Sequence, residues 1–483
     1  MNHLIISAES SLHEAFRLLD LNALGTLFVV DSDGRLCGVA TDGDIRRGLL
    51  RGLADTAPIK EVMNRNCVWL PVAIDPDVVF QVQTAKFRVI PLVDTEHRPV
   101  DYVTSQRHRR IPVAEPNLAG NELSYVIDCV RSGWISSRGD YIAKFEAAFA
   151  SYLGVEDAIT VSNGSTALDL ALAAFDIGPG DEVIVPDLTF AATINAPLHL
   201  GATPVLVDVD PGSWNMAPEA VERAITKRTR ALIPVHLYGQ PADMDALNEI
   251  ARRHGLVVIE DAAEALGSRL DGRPVGSLGD AACFSFFANK LITTGEGGML
   301  VIRDKARAAR ARQLRSHGMQ PDRRYWHDQI GYNFRMTNLQ AAIGLAQMER
   351  IDELLDRKLA VCRIYREQLD GLPQLILPQE RAGVLNSYWA FSVLIRGADA
   401  AIRDSVMERL LHRGIETRPL FYPLHEMPPY AGFGRKKALA TSRRLSYSGI
   451  TLPSSVNITE AEVLDVCASL KAALKQLEAS RAA

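Results

Sequence analysis

The sequence predicts an α/β protein with a mainly parallel sheet, preceded by an α+β repeat and followed by a small α+β lobe. From about residue 118, short apolar runs such as EVIVP, TPVLVDV and LVVIED alternate with stretches of helical periodicity. This alternation is typical of parallel strands that are joined by crossover helices. After a long helical stretch, SYWAFSVLI and GIETRPLFYPL indicate the smaller lobe, and the first hundred residues contain the repeat.

Length and composition limit the class of protein. With 483 residues the chain is too long for a single hydrophobic core, so we expect two or three domains. Its net charge of −5 gives no reason to expect nucleic-acid binding. The six cysteines are far apart and form no CxxC pair, which favours reduced thiols over a disulfide or zinc framework. Without a signal-peptide pattern or a membrane-length apolar run, we expect a cytoplasmic protein with no metal, nucleic-acid or membrane partner.

The N-terminal repeat consists of two strand–turn–strand units, LFVVDSDGRLCGVAT and IPLVDTEHRPVDYVT, each after a helical segment. Asp31 precedes Thr41 by ten residues, and Asp94 precedes Thr104 by ten. Neither unit can bury its apolar face alone, so the two should pack as a pair. The arrangement resembles a tandem pair of CBS domains, which we place at residues 1–110.

The CBS resemblance implies a nucleotide site in the first repeat. In GVATDGDIRR, Thr41 would contact phosphate and Asp44 the ribose hydroxyls. Asp44 could also cap the following helix, and the two roles are compatible. The second repeat keeps Thr104 but has Arg107 at the position of Asp44, so the first repeat carries the more complete pattern. We expect a regulatory purine nucleotide there, guanine before adenine; the alternative is a packing or assembly element.

The remaining domain boundaries follow from changes in composition. The stretch RHRRIPVAEPNLAGNE is polar and contains prolines, which is typical of a linker, and we place the linker at 111–120. We expect the large domain over 121–350 and the small C-terminal domain over 351–483.

Two stretches place polar side chains directly after predicted strands. VSNGSTALDLALAAF enters a helix through Ser165 and Thr166, whose hydroxyls and free backbone N–H groups could hold a phosphate. The alternative is an ordinary capped helix. LVVIEDAAEALGS places Asp261 at a strand end and Glu264 three residues later, on one face of the first turn of a predicted helix. The alternative there is a solvent-facing acid pair at a helix N-terminus.

Lys290 stands in FSFFANKLITTGEGGML, between an apolar run and a glycine-rich turn. Burial would lower the pKa of this lysine and make its amine nucleophilic, whereas the alternative is a surface lysine on a hairpin loop. Together with Asp261 and a phosphate site, a buried lysine completes what a pyridoxal-phosphate enzyme needs. Ser285 could add a hydroxyl to the phosphate site, and Phe190 could stack on the ring unless it is a core aromatic.

Several motifs, in the same order along the chain, resemble the DegT-type sugar aminotransferases over roughly residues 115–475. The motifs that carry this resemblance are GWISSRGDY, VSNGSTAL, DEVIVPDLTFAAT, IPVHLYGQPADMD, IEDAAEALGS, FSFFANKLITTGEGGML and GYNFRMTNLQAAIGLAQ. The resemblance implies the fold of type I pyridoxal-phosphate transferases, which is aspartate aminotransferase-like.

The resemblance also implies roles for the candidate residues. Lys290 would form the Schiff base and later carry protons, and Asp261 would pair with the pyridine nitrogen. Glu264, where glutamine is commonest in the broader family, would contact the phenolic oxygen of the ring. The other implied cofactor-binding residues are Phe190 on the ring face, Ser165, Thr166 and Ser285 at the phosphate, and Asn333 at the phosphate of a neighbouring subunit. A contact through Asn333 implies a homodimer or a higher homo-oligomer.

The activity that the resemblance implies is amino transfer from L-glutamate to a nucleotide-linked 4-keto-6-deoxysugar, with a GDP-linked sugar as the first choice. Such amino sugars belong to cell-surface polysaccharides such as the O-antigen of lipopolysaccharide. One alternative is another keto sugar, UDP- or dTDP-linked or an octulosonate. The other is a CBS nucleotide sensor whose large domain is a non-catalytic scaffold.

Overall fold

The computed structural model describes residues 3–22, 24–72, 89–104, 111–379, 381–434 and 439–482. The chain divides into two compact units, Met1–Arg110 and Ile111–Ala483. Within the described ranges, no helix combines the length and the apolar character that a membrane crossing needs.

The first unit contains two small sheets with the same pairing pattern. In each, the first two strands are parallel and the last two form an antiparallel hairpin. The strands, in sheet order, are β1 (Ile5–Ser7), β2 (Thr26–Val30) and β3 (Leu36–Thr41), and then β4 (Leu70–Pro71), β5 (Val89–Val93) and β6 (Pro99–Thr104). Helices α1 (Leu12–Asn22) and α2 (Asp42–Leu50) accompany the first sheet.

The two hairpin turns of the first unit have the same hydrogen-bond pattern. Asp31 Oδ1 accepts the backbone N–H groups of the residues two and four positions later, both at 2.9 Å. Asp94 Oδ1 does the same in the second hairpin, also at 2.9 Å. The internal repeat predicted from the sequence is therefore present in the described part of this unit. Arg107 and the helical segment expected before the second hairpin lie outside the described residues.

The second unit is built on a large sheet whose strands are mostly buried. Strands with no exposed face read as continuous apolar runs because helices cover both sides. Among the described residues the strand order is β7 (Ile159–Val161), β15 (Gly298–Ile302), β14 (Ala281–Ser285), β11 (Val257–Asp261), β10 (Thr229–Leu232), β8 (Glu182–Pro186) and β9 (Thr203–Val207). Strand β15 runs against its two neighbours and the other pairs are parallel. The predicted α/β class with a mainly parallel sheet is confirmed.

Helices pack on both faces of this sheet and form separate apolar clusters with it. They are α3 (Glu122–Ser132), α4 (Asp140–Leu153), α5 (Gly164–Ala174), α6 (Ala192–His199), α7 (Pro218–Ala224), α8 (Met244–His254), α9 (Lys305–Arg315) and α10 (Asn338–Met348). A short antiparallel sheet of β13 (Arg273–Pro274), β12 (Arg269–Leu270) and β17 (Val384–Leu385) lies beside them.

The C-terminal part of the second unit is an α+β lobe with its own core around Tyr365 and Phe391. Its antiparallel sheet has the order β16 (Leu375–Ile376), β18 (Phe391–Ile395), β20 (Gly449–Leu452) and β19 (Arg418–Pro419). Its helices are α11 (Ile351–Leu369), α12 (Ala400–Leu411), α13 (Ala440–Ser448) and α14 (Glu460–Ala482).

The stretch expected to be a linker, residues 111–120, begins inside this lobe. The Ile111 N–H donates to Gly414 O at 2.8 Å, and the Glu416 N–H donates to Ile111 O at 3.0 Å. Ile111 and Val113 are both buried. The apolar side chains in the stretch IPV explain the difference, because they add to the lobe core instead of spanning open solvent.

Candidate active site

A cavity of about 480 Å³ opens at the carboxyl ends of the parallel strands, next to the small lobe. Loops that follow strands of such sheets are where ligands usually bind. The structure brings together here predicted side chains that lie up to 125 positions apart in the chain. The predicted residues that line the cavity are Ser165, Phe190, Asp261, Glu264, Ser285 and Lys290.

The start of α5 forms one end of the cavity. Asn163 caps this helix by accepting the Thr166 N–H at 2.9 Å, while Gly164 and Ser165 face the cavity. A Cβ atom added to Gly164 would lie 2.9 Å from the Cβ of Ser285. Only glycine therefore allows the helix start to approach Ser285 this closely. The result is an anion-binding arrangement of a helix N-terminus and two serine hydroxyls.

The structure does not bring the Thr166 side chain to the cavity. Its hydroxyl donates to Asn163 O at 2.9 Å and accepts the Asn163 N–H at 3.2 Å. Thr166 is the third residue of α5, where a side chain turns back toward the cap. The hydroxyl is occupied in this capping box, so its placement does not support the predicted phosphate contact.

Asp261 is the last residue of β11 and is buried beside α6. Thr193 Oγ1 donates to Asp261 Oδ2 at 2.8 Å, and the Ala263 N–H donates to Oδ1 at 3.2 Å. Burial raises the pKa of Asp261, and the Thr193 hydrogen bond opposes that rise. Thr193 was not predicted from the sequence, because nothing in the residues around it distinguishes it from an ordinary helix threonine.

Glu260, the residue before Asp261, holds the end of β11 from the other face of the sheet. Glu260 accepts the backbone N–H groups of Gly276, Leu278 and Gly279 at 2.6 to 2.8 Å. His236 Nδ1 accepts the Ala242 N–H at 3.0 Å, so its Nε2 carries the proton and donates to Glu260 at 3.1 Å. The buried carboxylate thus joins β11 to two loops.

Glu264 lies in a turn and not in the helix that we expected after β11. The chain between Ala262 and Ser268 forms successive turns and then enters β12. Ala262 N–H donates to Cys283 O at 2.9 Å, which holds the segment against β14 and leaves no room for a helix. Asp261 and Glu264 are both buried, so the alternative of a solvent-facing acid pair is wrong.

Lys290 lies on the hairpin loop between β14 and β15, yet its side chain is only 13% exposed. Its Nζ is 3.8 Å from Glu264 Oε1 and 3.9 Å from the centre of the Trp389 ring. Burial lowers the pKa of Lys290 and raises the pKa of Glu264 to about 7. The lysine is therefore a poorly solvated amine next to two carboxyl groups, as the buried alternative predicted.

Aromatic residues form the wall that faces Lys290, and most of them were missed from the sequence. Tyr238 stacks on Trp389 with ring centres 6.0 Å apart and on Phe421 with ring centres 5.4 Å apart. Phe190 is 60% exposed and lies 5.8 Å from Phe421, so it is not a core aromatic. Arg418 also lines the cavity. The signal for this wall was the aromatic character of SYWAFSVLI and GIETRPLFYPL, which predicted only a lobe.

Asn333 does not line the cavity of its own chain. It is exposed, and its Oδ1 accepts from Arg335 Nε at 3.0 Å. Its expected contact is with the cofactor of a second subunit, and that contact stays a prediction.

In the first unit, the helix cap is Thr41 and not Asp44. Asp44 is the third residue of α2, and its Oδ2 accepts from the Thr41 hydroxyl at 2.6 Å and the Thr41 N–H at 2.9 Å. Arg47 Nη2 lies 2.6 Å from Asp44 Oδ1. A ribose that binds Asp44 has to compete with Arg47 for this oxygen.

Removal of the Thr193 hydroxyl should destabilise the ionised form of Asp261. Thr193→Val leaves Asp261 Oδ2 without its side-chain donor, which should destabilise the protein by about 1.5–3 kcal/mol. The loss raises the folded-state pKa of Asp261 further. The difference from the parent should therefore grow as the pH rises through the folded-state pKa of Asp261 and shrink on acidification.

Thermal unfolding of the cofactor-free protein at several pH values measures this difference. Thr189→Val is the matched control, because the Thr189 hydroxyl contacts Thr193 at 3.0 Å and does not contact Asp261. Equal pH dependence in the two variants would contradict the assignment.

Comparisons with known proteins agree with this geometry. The profile of the DegT/DnrJ/EryC1/StrS aminotransferase family matches residues 116–471, and that of the CBS domain matches residues 1–51. GDP-perosamine synthase of Caulobacter vibrioides is 50% identical over 362 residues, which cover 75% of this chain and 97% of that protein. GDP-perosamine synthase of Vibrio cholerae is 44% identical, with 75% and 98% covered.

Solved structures give the same result for the fold. The PLP form of the putative sugar aminotransferase Spr1654 from Streptococcus pneumoniae has a TM-score of 0.73 at 28% identity, covering 76% of this chain and 99% of that one. DesV of S. venezuelae has a TM-score of 0.70 at 36% identity, covering 75% and 97%. The predicted fold type, cofactor class and N-terminal CBS resemblance are confirmed. The chain therefore belongs to the DegT/DnrJ/EryC1/StrS family and is a pyridoxal-phosphate-dependent sugar aminotransferase.

Proposed function

We propose that this protein transfers the amino group of L-glutamate to the keto carbon of a GDP-linked 4-keto-6-deoxysugar for cell-surface polysaccharide. The observation that carries the proposal is the buried amine of Lys290, held 3.8 Å from Glu264 in the cavity that Asp261 also lines. The choice of a GDP-linked sugar is supported by the relatives named GDP-perosamine synthase.

The residues of the cavity suit pyridoxal phosphate. The start of α5 approaches Ser285 as closely as only a glycine permits, which offers backbone donors and hydroxyls to a phosphate. Asp261 offers a buried carboxylate to a ring nitrogen, and exposed Phe190 offers an aromatic face. When bound, the cofactor supplies an electron sink for the electron pair that is left on a substrate carbon.

Lys290 is the group that moves protons in this proposal. Burial lowers the pKa of Lys290 and so favours the neutral amine, and a neutral amine can accept a proton from the substrate carbon. Trp389 and Phe421 exclude water from its surroundings, which strengthens the electrostatic effect of Asp261 and Glu264. Asp261 keeps its partner nitrogen protonated because its charge is buried and has little solvent to screen it.

Two alternatives remain distinct from this proposal. Another keto sugar, UDP- or dTDP-linked or an octulosonate, would use the same amine and differ in the contacts of the rest of the substrate. A non-catalytic scaffold that serves a CBS sensor would have no need for a desolvated lysine, which costs stability. The burial of Lys290 therefore favours an enzyme over a scaffold.

We also propose that the active form is a homodimer. One face of α3 is apolar and exposed at Leu123, Ile127 and Val130, and exposed Trp134 and Ile135 extend it. Positions three and four apart on a helix share one face, so these side chains form a continuous patch. A second copy of the chain is the occupant that fits best, because Asn333 faces away from its own cavity.

A regulatory nucleotide at the first CBS repeat is our third proposal. The Thr41–Asp44 pair offers a hydroxyl and a carboxylate at the start of α2, where a phosphate and a ribose could bind side by side. Both groups hydrogen-bond to each other in the ligand-free protein.

Replacement of Lys290 should abolish the activity without unfolding the protein. Lys290→Ala should bind the cofactor without covalent attachment and should keep its visible absorbance when L-glutamate is added, whereas the parent should lose it. Assay of the parent with GDP-, UDP- and dTDP-linked 4-keto-6-deoxysugars should give at least about tenfold higher kcat/KM for the GDP sugar. Lys305→Ala, an exposed lysine on α9, is the control. Substantial aminotransfer by Lys290→Ala would remove the lysine from its role, and preference for another nucleotide would replace the substrate.

Mixed dimers can show whether Asn333 serves the neighbouring subunit. A Lys290→Ala chain paired with an Asn333→Ala chain should regain one working site of the two, because the site with an intact lysine then receives an intact asparagine. Lys290→Ala paired with Asp261→Ala should regain none, because both residues act within one chain. Activity of tagged, purified heterodimers is the measurement. Failure of the first pair, with heterodimers present, would refute the shared site.

Replacement of Asp44 should weaken nucleotide binding to the full chain. Calorimetry with AMP, ATP, GMP, GDP and GTP should show a site whose affinity falls about ten- to a hundredfold in Asp44→Ala, because the ribose loses its acceptor. Asp42→Ala is the control, since this exposed acid in the same helix pairs with Arg46. No binding that depends on Asp44 would leave the unit as a packing or assembly element.

A further inference from the structure

Lys290 and Glu264 form a buried acid–base pair inside the cavity. Lys290 Nζ lies 3.8 Å from Glu264 Oε1, and the Tyr238 N–H holds Glu264 Oε2 at 2.9 Å. Because the backbone fixes one oxygen, the other is presented to the lysine. Both side chains are shielded from solvent by Trp389, whose ring lies against the ammonium.

Few other charges act on this pair. Asp261 is the nearby acid, and after burial its charge also raises the pKa of Glu264. The Tyr238 hydroxyl accepts the Phe421 N–H at 2.9 Å and so is engaged on the small lobe. Arg418 and Glu296 line the cavity but are exposed, so solvent screens them.

We propose that Glu264 is the proton partner of Lys290, so that one proton passes between the carboxyl group and the amine. When the amine becomes neutral, the two side chains close from 3.8 Å to hydrogen-bond distance, the Nζ–H bond breaks and an Oε–H bond forms, and no other reactant is needed. The use of this proton in catalysis rests on the proposed function, whereas the pair itself does not.

The physical reason is the cost of an unpaired buried charge. If Lys290 lost its charge while Glu264 stayed ionised, the carboxylate would be left without a cation in a site with little water. Transfer of the proton to Glu264 leaves two neutral groups instead. Burial raises the pKa of Glu264 to about 7, so this carboxyl group can accept the proton near physiological pH. An amide in its place could hydrogen-bond but could not accept a proton.

The first test measures the pKa of Lys290 in the cofactor-free full-length protein. Trace labelling with acetic anhydride at several pH values, followed by peptide mass spectrometry, gives the pKa from the labelling rate of Lys290. Glu264→Gln should lower this pKa by about one to three units, because it removes the counter-charge at short range. Glu296→Gln is the matched control and should change it by less than about 0.3 units.

The second test observes the proton on the carboxyl group. Infrared difference spectra between the cofactor-free and the cofactor-loaded protein should show a neutral carboxyl band that is lost in Glu264→Gln and kept in Glu296→Gln. Lys290→Met removes the amine instead, and its Glu264 carboxyl should be protonated at neutral pH without cofactor. This variant keeps the proposal testable if Glu264→Gln fails to fold.

An unchanged Lys290 pKa in Glu264→Gln, or an ionised Glu264 in Lys290→Met, would overturn the proton pair. These outcomes are independent of the proposed function. If Lys290→Ala retained aminotransfer while the titrations followed expectation, the proposed function would fail and the proton pair would stand.

Discussion

The buried carboxylate of Glu260 is the constraint on which the site depends. Successive residues of a strand point to opposite faces, so Glu260 and Asp261 leave β11 in opposite directions. Glu260 accepts hydrogen bonds from backbone N–H groups of the loop after β13 and from His236 Nε2, and these bonds satisfy a charge that would otherwise be costly to bury. With its strand end fixed from behind, Asp261 can hold one position in the cavity. The neighbouring loop that carries Glu264 starts from the same fixed point.

The small lobe determines the electrostatics of a site whose charged groups come from the large sheet. Trp389 covers the ammonium of Lys290, and its Nε1 donates to Asn289 O at 2.9 Å, which attaches the lysine-bearing loop to the lobe. Phe421 reaches across to Phe190. Loss of this cover would expose Lys290 to water and return its pKa toward the ordinary value. The reactivity of the Lys290 amine therefore depends on how the small lobe packs against the cavity.

Residues that follow a strand directly could be found from the sequence, and residues that depend on tertiary packing could not. Asp261 and Ser285 end apolar strands, and Ser165 opens a helix after one, so strand order alone places all three at the same sheet edge. Lys290 was found because its flanking pattern is unusual for a surface loop. The stacking of Tyr238 with Trp389 joins segments about 150 positions apart, and no local pattern predicts it.

Two differences between the structure and the sequence-based expectations have local physical causes. Helical periodicity after β11 was overridden by a hydrogen bond from Ala262 to β14, which turned the segment toward β12. Thr166 has the right composition for a phosphate contact, but its position in the first turn commits its hydroxyl to the cap. In both cases the residue types were read correctly from the sequence. The path of the backbone, which the sequence pattern did not show, determined where the side chains lie.

The hydrogen bonds between Ile111 and the small lobe locate the boundary between the two units of the chain. The Caulobacter relative is matched over 97% of its own length by 75% of this chain, which leaves that relative almost no sequence to correspond to the first unit. The boundary between the units lies before Ile111 and not within the proline-bearing stretch, because Ile111 belongs to the lobe core and Val113 is buried as well. A fusion of the N-terminal unit to another aminotransferase should therefore end that unit at residue 110, because Ile111 is needed in the core of the small lobe.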